Sequence, residues 1–246
     1  MKKLRSYSYF FYFIGVYIIT CLILAPYIFF LVRGKNKYIR AKKVKKYWSK
    51  LILFAVGVKI KTSGFSGMKN NNNFIICANH KSYLDILLMY LIIDHDFAFL
   101  GKSEVLKYPV IRIFFKRGID IPVYRASRIK AAKSLELAKS EINRGRSIVI
   151  FPEGGWDNSE TEMRKFKNGA FKLAIDTGCP ILPITFKNNY DIFKDLSDLK
   201  GNSKPGLADV VIHEPIETRK LARKDLVSLK NQTFKVIHKE LTSDYR

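Results

Sequence analysis

Apolar and polar positions divide this chain into two parts with different patterns. The first part is an uncharged run of 27 residues, 6–32, followed by a segment with nine basic residues, 33–50. The run exceeds the roughly 20 apolar residues that a helix needs to cross a bilayer. Further along, short apolar runs alternate with longer amphipathic ones, which indicates strands alternating with helices. We therefore predict a membrane-anchoring helical segment over 1–58 and a globular domain over 59–246.

The pattern of the globular domain predicts an α/β fold. Strands that alternate with helices form a sheet covered by helices, so we expect a mixed, largely parallel sheet. The predicted strands are 58–62, 74–78, 97–101, 119–123, 147–151, 181–186 and 209–213. The predicted helices are 86–93, 126–144, 169–177 and 219–241.

Residues 6–32 are interpreted as an uncleaved membrane segment. The run is long for a signal peptide, and a basic block follows it where a small-residue cleavage site would stand. Within and beyond that block, an apolar stripe of Val44, Trp48, Leu51, Ala55 and Val58 recurs at helical spacing. A basic helix with such a stripe is typical of an anionic membrane surface, although a charged helix packed on the domain is the alternative. Basic residues flank both ends of the run, so a hairpin dipping into one leaflet competes with a span. The basic block places the globular domain on the cytoplasmic side of the cell membrane.

The net charge narrows the choice of partners. The chain has 44 basic and 21 acidic residues, a formal charge of +23. Such a charge attracts nucleic acid, anionic membrane or acidic carrier molecules. A basic nucleic-acid-binding protein would explain the charge but not the uncharged run. The three cysteines lie in apolar surroundings without metal-ligand spacing, which predicts buried thiols, a reducing compartment and no metal site.

A polar stretch, 79–85, joins the predicted strand 74–78 to the helix after it. It contains His80 and, five residues later, Asp85. A helix N-terminus favours a carboxylate, so Asp85 is expected to be ionised beside the imidazole, where it fixes the tautomer and leaves the other ring nitrogen basic. This is the base and orienting acid of a catalytic triad, and it needs no serine if the substrate brings a hydroxyl. The alternative is an ordinary capping box formed by Ser82 and Asp85.

Charged and small residues follow three other predicted strands. Glu153, Gly154 and Gly155 come after a buried strand, where glycines let backbone N–H groups approach a substrate. Arg125 and Lys102 lie at the ends of two more strands, and arginine binds phosphate through two parallel hydrogen bonds. Taken singly, each residue is typical of a surface turn. Their shared position at strand ends predicts a substrate-binding site.

Four motifs in this order resemble those of the glycerolipid acyltransferase family. The resemblance extends from about residue 64 to residue 213, and four ordered motifs on the right elements are far more specific than any one of them. The connecting segment 166–174 also resembles the family. The matching segments are 79–85 for Asn-His-x4-Asp, 121–125 for an aliphatic strand ending in arginine, 151–156 for Phe-Pro-Glu-Gly-Thr-Arg, and 182–184 for aliphatic-Pro-aliphatic.

The resemblance implies transfer of a fatty acyl group from a thioester, on acyl carrier protein or coenzyme A, to a lysophospholipid hydroxyl. The implied acceptor is 1-acylglycerol-3-phosphate, which gives phosphatidate. His80 would be the base and Asp85 would hold it, while Arg125 and Lys102 would bind the acceptor phosphate. No metal or bound cofactor is implied, and the expected partners are anionic lipid, the lysophospholipid and the thioester carrier, without nucleic acid.

The third motif departs from the family pattern. Glu153 would position the acceptor or order the loop, and backbone N–H groups near Gly154 would face the developing oxyanion. Gly155 and Trp156, however, stand where the family has threonine and arginine. Because that arginine is expected to help hold the acceptor phosphate, a lysolipid of an amino-acid or other non-phosphate type is the alternative acceptor.

Overall fold

The structure, a computed structural model, describes residues 2–67, 73–155, 163–193 and 203–242. Two long helices precede the alternation of strands and helices that the sequence predicts. The helices are α1 Lys2–Leu31, α2 Lys37–Ala55, α3 Leu84–Ile92, α4 Ile111–Lys116, α5 Arg128–Asn143, α6 Gly169–Thr177, α7 Asn189–Ile192 and α8 Leu226–Thr242. The strands are β1 Val58–Gly64, β2 Ile75–Ala78, β3 Phe97–Lys102, β4 Ile121–Val123, β5 Ser147–Ile150, β6 Ile181–Phe186 and β7 Gly206–Ile212.

The described strands form one sheet in the order β1-β7-β6-β2-β5-β3-β4. Every neighbouring pair is parallel except β6 with β7. This confirms the predicted mixed, largely parallel sheet. The central strand is β2, between β5 and β6. In open sheets of this kind, ligands bind beyond the carboxyl ends of the strands, so the segment after β2 lies at the expected position for a site.

Apolar clusters cover both faces of the sheet. Alternate side chains of a strand point to opposite faces, and Ile76 and Ala78 belong to one cluster while Ile75 and Cys77 belong to the other. The first cluster includes side chains of α1, α2 and α3, and the second includes side chains of α5, α6 and α8. Both faces of the sheet are therefore buried, which leaves the carboxyl ends of the strands as the place for a site.

Helix α1 packs only in part on the domain. Within Leu4–Leu31, the most apolar window of 18 residues has a mean hydropathy of 2.4, and 17% of that window is buried. Its length and composition suit a membrane span. Leu22, Ile23 and Phe30 are 70%, 69% and 66% exposed. A large exposed apolar surface of this kind marks contact with a membrane or a protein.

Helix α2 packs on the domain through part of the apolar stripe that was predicted to face the membrane. Val44 and Trp48 are buried, and the Trp48 indole N–H donates to Thr20 Oγ1 of α1 at 2.9 Å. The predicted membrane stripe was wrong for these two residues, because they pack on the protein as in the alternative. Another set of apolar residues, which includes Leu51 of the predicted stripe, is exposed on α2 beside basic ones. This set comprises Ile39, Tyr47, Leu51 and Phe54, with Arg40, Lys43 and Lys50 among the exposed basic residues.

Lys45, predicted as part of the basic surface, is buried against Asp120. Asp120 also accepts a hydrogen bond from the Phe99 backbone N–H of β3 at 3.0 Å. Burial lowers the pKa of the Lys45 ammonium, and the nearby Asp120 carboxylate opposes that change. A buried charge that loses its partner is strongly destabilising, so this pair fixes α2 to the sheet.

Most predicted elements form within two residues of their expected bounds. The sequence pattern missed α4, α7 and the 3-10 turn Ser103–Lys107, because elements this short carry too few apolar repeats to show a period. The last helix begins at Leu226, later than predicted, since a 3-10 turn over Arg223–Asp225 precedes it.

Candidate active site

The segment after β2 is organised around the carboxylate of Asp85, which is 1% exposed. His80 Nδ1 lies 2.8 Å from Asp85 Oδ2. The same oxygen accepts hydrogen bonds from the backbone N–H groups of Lys81 and Ser82, both at 3.1 Å. The Ser82 bond has the three-residue spacing of the carboxylate half of a capping box, one residue before the observed N-cap of α3. The two interpretations of this stretch are thus not exclusive, since one carboxylate holds the histidine and caps the loop.

The serine half of the predicted capping box does not form. The N-cap of α3 is Tyr83, and the Ser82 hydroxyl accepts from the Leu84 backbone N–H at 3.2 Å. The same hydroxyl donates to the Phe193 carbonyl at 2.7 Å. Ser82 therefore fastens the loop to a distant segment.

The environment of His80 defines which ring nitrogen can act as a base. The Asp85 carboxylate accepts a hydrogen bond from Nδ1–H, so Nε2 is the ring nitrogen that carries no proton in the neutral imidazole. The imidazole stacks on the Phe151 ring, with 3.8 Å between centroids and planes 14° apart. His80 is 8% exposed. The ring is thus held by an acid on one side and by an aromatic face, an arrangement that can remove a proton from a hydroxyl.

Glu153 connects the His80 loop to the segment before α6. Its Oε1 accepts from the His80 backbone N–H at 2.9 Å, and its Oε2 accepts from the Arg164 backbone N–H at 2.8 Å. The side chain is 2% exposed. Burial raises the pKa of the Glu153 carboxyl, and the two backbone donors oppose that change. This geometry fits the predicted role of ordering the loop better than that of touching the acceptor.

Two cationic side chains lie against the glycine turn after β5. Gly154 and Gly155 have φ values of +78° and +122°, which disfavour any other residue. The Arg125 guanidinium donates to the Gly154 carbonyl. A Cβ at position 154 would lie 2.8 Å from Lys167 Nζ. The structure thus brings Arg125 to the predicted turn and adds Lys167, which follows the turn in the chain.

The remaining predicted site residues have other surroundings. The Gly154 N–H donates to the Phe151 carbonyl at 3.0 Å, so an oxyanion donor would have to be another N–H group of this turn. Lys102 Nζ contacts Glu104 Oε1 at 3.0 Å, and both side chains are half exposed. Trp156 lies outside the described residues. Among those residues, no group of three or more His, Cys, Asp or Glu side chains is placed to hold a metal ion.

Two asparagines connect the His80 loop to distant segments. The Asn79 amide exchanges hydrogen bonds with the backbone of Phe186 at the end of β6, at 2.9 and 2.8 Å. The Asn189 Nδ2 group donates to Asp85 Oδ1 at 2.6 Å. Asn189 is 104 residues from Asp85 in the chain, and no local sequence signal marks it.

Helix α1 also reaches the site. The Phe10 and Phe13 rings stack on Phe193 with centroid distances of 5.4 and 3.9 Å. The Phe193 carbonyl in turn accepts from Ser82. The apolar N-terminal helix is therefore joined to the His80 loop through one aromatic side chain and its carbonyl.

Comparisons with known proteins agree with this architecture. The sequence profile of the family described as Acyltransferase matches residues 59–187. A 1-acyl-sn-glycerol-3-phosphate acyltransferase of Borreliella burgdorferi is 33% identical over 175 residues, which cover 70% of this chain and 68% of that protein. A chloroplastic protein of the same name from Brassica napus is 26% identical over 78% of this chain. The chain spans 54% of the length of the Brassica protein.

A solved structure shares the fold over almost the whole chain. The crystal structure of the 1-acyl-sn-glycerophosphate acyltransferase of Thermotoga maritima superposes with a TM-score of 0.78 and covers 98% of this chain and 96% of its own. The sequence identity is 23%. At that identity the likeness establishes the fold, including the pair of helices before the sheet.

The two bonds of Glu153 predict a measurable effect of Glu153→Gln. An amide cannot accept from both backbone N–H groups, so one of them is left without its partner, at a cost of about 1–3 kcal/mol. We expect the free energy of unfolding in urea to fall by that amount, and the His80 and Arg164 amides to exchange hydrogen faster. The control is Glu136→Gln on the exposed surface of α5. Equal stability of the two variants would contradict the role assigned to Glu153.

Proposed function

This chain belongs to the acyltransferase family, and we propose that it moves a fatty acyl group from a thioester to the free hydroxyl of 1-acylglycerol-3-phosphate, forming phosphatidate. The observation that carries the proposal is the 2.8 Å contact between His80 Nδ1 and Asp85 Oδ2 at the end of the central strand. The contact lies inside the segment that matches the family profile. The names of the bacterial and plant relatives supply the acceptor.

In the proposed reaction, His80 acts as the general base. Its Nε2 takes the proton of the acceptor hydroxyl as the hydroxyl oxygen attacks the thioester carbonyl carbon. The C–S bond of the tetrahedral intermediate then breaks, and the departing sulfur receives the proton from His80. Asp85 keeps the ring in the required tautomer and stabilises the imidazolium between the two steps. Because the acceptor brings the nucleophile, the protein needs none of its own.

The acceptor phosphate is proposed to bind at the glycine turn. Arg125 and Lys167 both lie against Gly154, and the adjacent Glu153 is bonded to the His80 backbone. A phosphate held by these cations would therefore lie on the same loop system as the base. Lys102 remains only a predicted contributor to phosphate binding, because its ammonium contacts Glu104 and not the glycine turn.

The acyl donor is proposed to be a thioester of acyl carrier protein or coenzyme A. Either carrier is anionic and suits a chain of formal charge +23. Neither the acid–base mechanism nor the acceptor site requires a metal or a bound cofactor.

The chain is proposed to work at the cytoplasmic surface of the cell membrane. Residues 1–58 would form the anchor and residues 59–246 the acyltransferase domain. The exposed apolar face of α1 and the exposed apolar and basic residues of α2 support this placement. A lysophospholipid acceptor dissolves in the membrane, so a membrane-bound enzyme meets it there.

The proposed base and its partner are tested by two substitutions. Purified protein is offered a panel of lysolipids with acyl-carrier-protein and coenzyme A thioesters, and products are identified by mass spectrometry. We expect His80→Ala to remove acyl transfer and Asp85→Asn to lower kcat by about 10⁴, the loss caused by a wrong tautomer in a serine protease triad. His238→Ala, on α8, is the control. Full activity of His80→Ala would refute the mechanism.

The departure at Trp156 predicts a change in acceptor preference. A tryptophan offers one N–H donor and a large apolar face, whereas an arginine offers a charged fork to phosphate. We expect Trp156→Arg to favour lysophosphatidate over neutral, zwitterionic and amino-acid lysolipids by about 1–3 kcal/mol in a competition assay. Trp156→Phe keeps the aromatic character and controls for the substitution itself. If the native protein strongly prefers lysophosphatidate and Trp156→Arg leaves this preference unchanged, the departure does not affect acceptor choice.

The membrane placement predicts the behaviour of a triple variant of α1. Because α1 also covers the domain, substitutions on its exposed face are better suited than its deletion. We expect Leu22→Gln with Ile23→Gln and Phe30→Gln to release the protein from anionic vesicles at high salt but less at low salt, where basic residues still bind the lipid. The control triple replaces other exposed apolar residues with Gln, at Ile129, Leu137 and Val227. Flotation of the α1 variant with vesicles at high salt would contradict this anchor.

A further inference from the structure

We propose that Asn189 is a positioning residue, which acts on His80 by holding the second oxygen of Asp85. The inference rests on the proposed function, in which His80 is the base. It goes beyond the family motifs, because Asn189 lies in α7, outside all four segments that resemble them.

The two oxygens of Asp85 have different kinds of donor. Oδ2 receives hydrogen bonds from His80, Lys81 and Ser82, all within five residues. Oδ1 receives the Asn189 amide at 2.6 Å. Asp85 and Asn189 are 1% and 2% exposed, so bulk water does not supply a replacement donor at this point. The local loop can hold one oxygen, and a distant segment holds the other.

The Asn189 amide donates its N–H to Asp85 while its own carbonyl oxygen lacks a partner among the described residues. That oxygen, Oδ1, is buried. A buried polar atom without a partner costs free energy, and rotation of the amide to relieve it would turn the oxygen toward the Asp85 carboxylate. The orientation is therefore set by the negative charge of Asp85.

Two other asparagines of this region show what a purely structural amide does. Asn79 both donates to and accepts from the Phe186 backbone. Asn188 donates to the Leu207 carbonyl at 2.8 Å and accepts from the Asp209 N–H at 2.9 Å. Each satisfies both ends of its amide within the backbone. Asn189 differs from both, because it gives its donor to the site and leaves its acceptor unsatisfied.

The segment that carries Asn189 contacts the His80 loop at a second point. Phe193, one residue after α7, accepts the Ser82 hydroxyl at 2.7 Å. Asn189 and Phe193 thus fix the loop from one side at two positions. Without the amide, the buried Oδ1 loses its donor, and the carboxylate can twist about its Cβ–Cγ bond out of line with Nδ1 of His80, which weakens the hydrogen bond that selects the tautomer. The expected consequence is a poorly defined imidazole tautomer.

The first test separates kcat from KM. We expect Asn189→Ala to lower kcat about 10- to 100-fold, by analogy with the loss found when a side chain that orients a metal ligand is removed. KM should change by less than about twofold, because the amide does not touch the acceptor. The matched control is Asn188→Ala at the neighbouring asparagine, which gives the change in kcat caused by losing an amide from the same helix end. Asn189→Leu keeps the side-chain volume without a donor, and it replaces the alanine variant if that one does not fold.

The second test asks whether Asn189 acts through Asp85. In an Asp85→Ala background, the amide has no carboxylate to hold, so adding Asn189→Ala should lower the residual kcat no further. A general structural role would instead give additive losses. Additive losses in this cycle, or equal kcat values for Asn189→Ala and Asn188→Ala, would overturn the inference.

The third test needs no substrate. With ¹⁵N-labelled histidine, the NMR signals of the His80 ring nitrogens, identified by their loss in His80→Gln, report the tautomer. We expect a protonated Nδ1 in the native protein and in Asn188→Ala, and a mixture in Asn189→Ala. If the tautomer shifts as expected but the native protein transfers no acyl group, the proposed function fails while the positioning role stands. An unchanged tautomer in Asn189→Ala would refute the positioning role whatever the activity.

Discussion

The burial of the Asp85 charge is the constraint on which the rest of the site depends. A carboxylate that leaves water is costly unless donors replace the lost hydration, and this one has four of them. Three come from the loop that follows the central strand, and the fourth comes from α7. The loop is fixed in turn by the Glu153 carboxylate and by the Ser82 hydroxyl. The proposed base, His80, can therefore be oriented only when the strands and the segment after β6 are in register.

This dependence explains how much of the site the sequence could predict. The His80–Asp85 contact spans five residues, and the strand-to-helix turn between two apolar runs determines it locally. The sheet itself followed from the alternation of strands and helices. Asn189 and the backbone partners of Glu153 could not be predicted, because they lie on other segments and only the order of strands brings them together. Lys102 shows the converse, since its position at a strand end was predicted correctly while its partner, Glu104, was not.

The N-terminal helices show a different limit of sequence patterns. Helix α2 carries apolar residues on both sides, so helical spacing alone could not show which side packs on the domain. Burial decides the question in favour of Val44 and Trp48, and it leaves Phe54 84% exposed. Lys45 could not be distinguished from its basic neighbours, because its partner Asp120 lies 75 residues away. A basic residue in such a helix is thus informative only once its partner is known.

The N-terminal helix contacts the candidate site with one side and leaves an apolar side exposed. Phe10 and Phe13 of α1 stack on Phe193, and the carbonyl of that residue holds Ser82 in the loop of the base. Removing α1 would therefore uncover Phe193 and loosen the loop, in addition to removing the proposed membrane anchor. A loss of activity after such a deletion would not distinguish the two effects. The exposed and the buried sides of α1 belong to different interactions, and a substitution confined to one side changes that interaction alone.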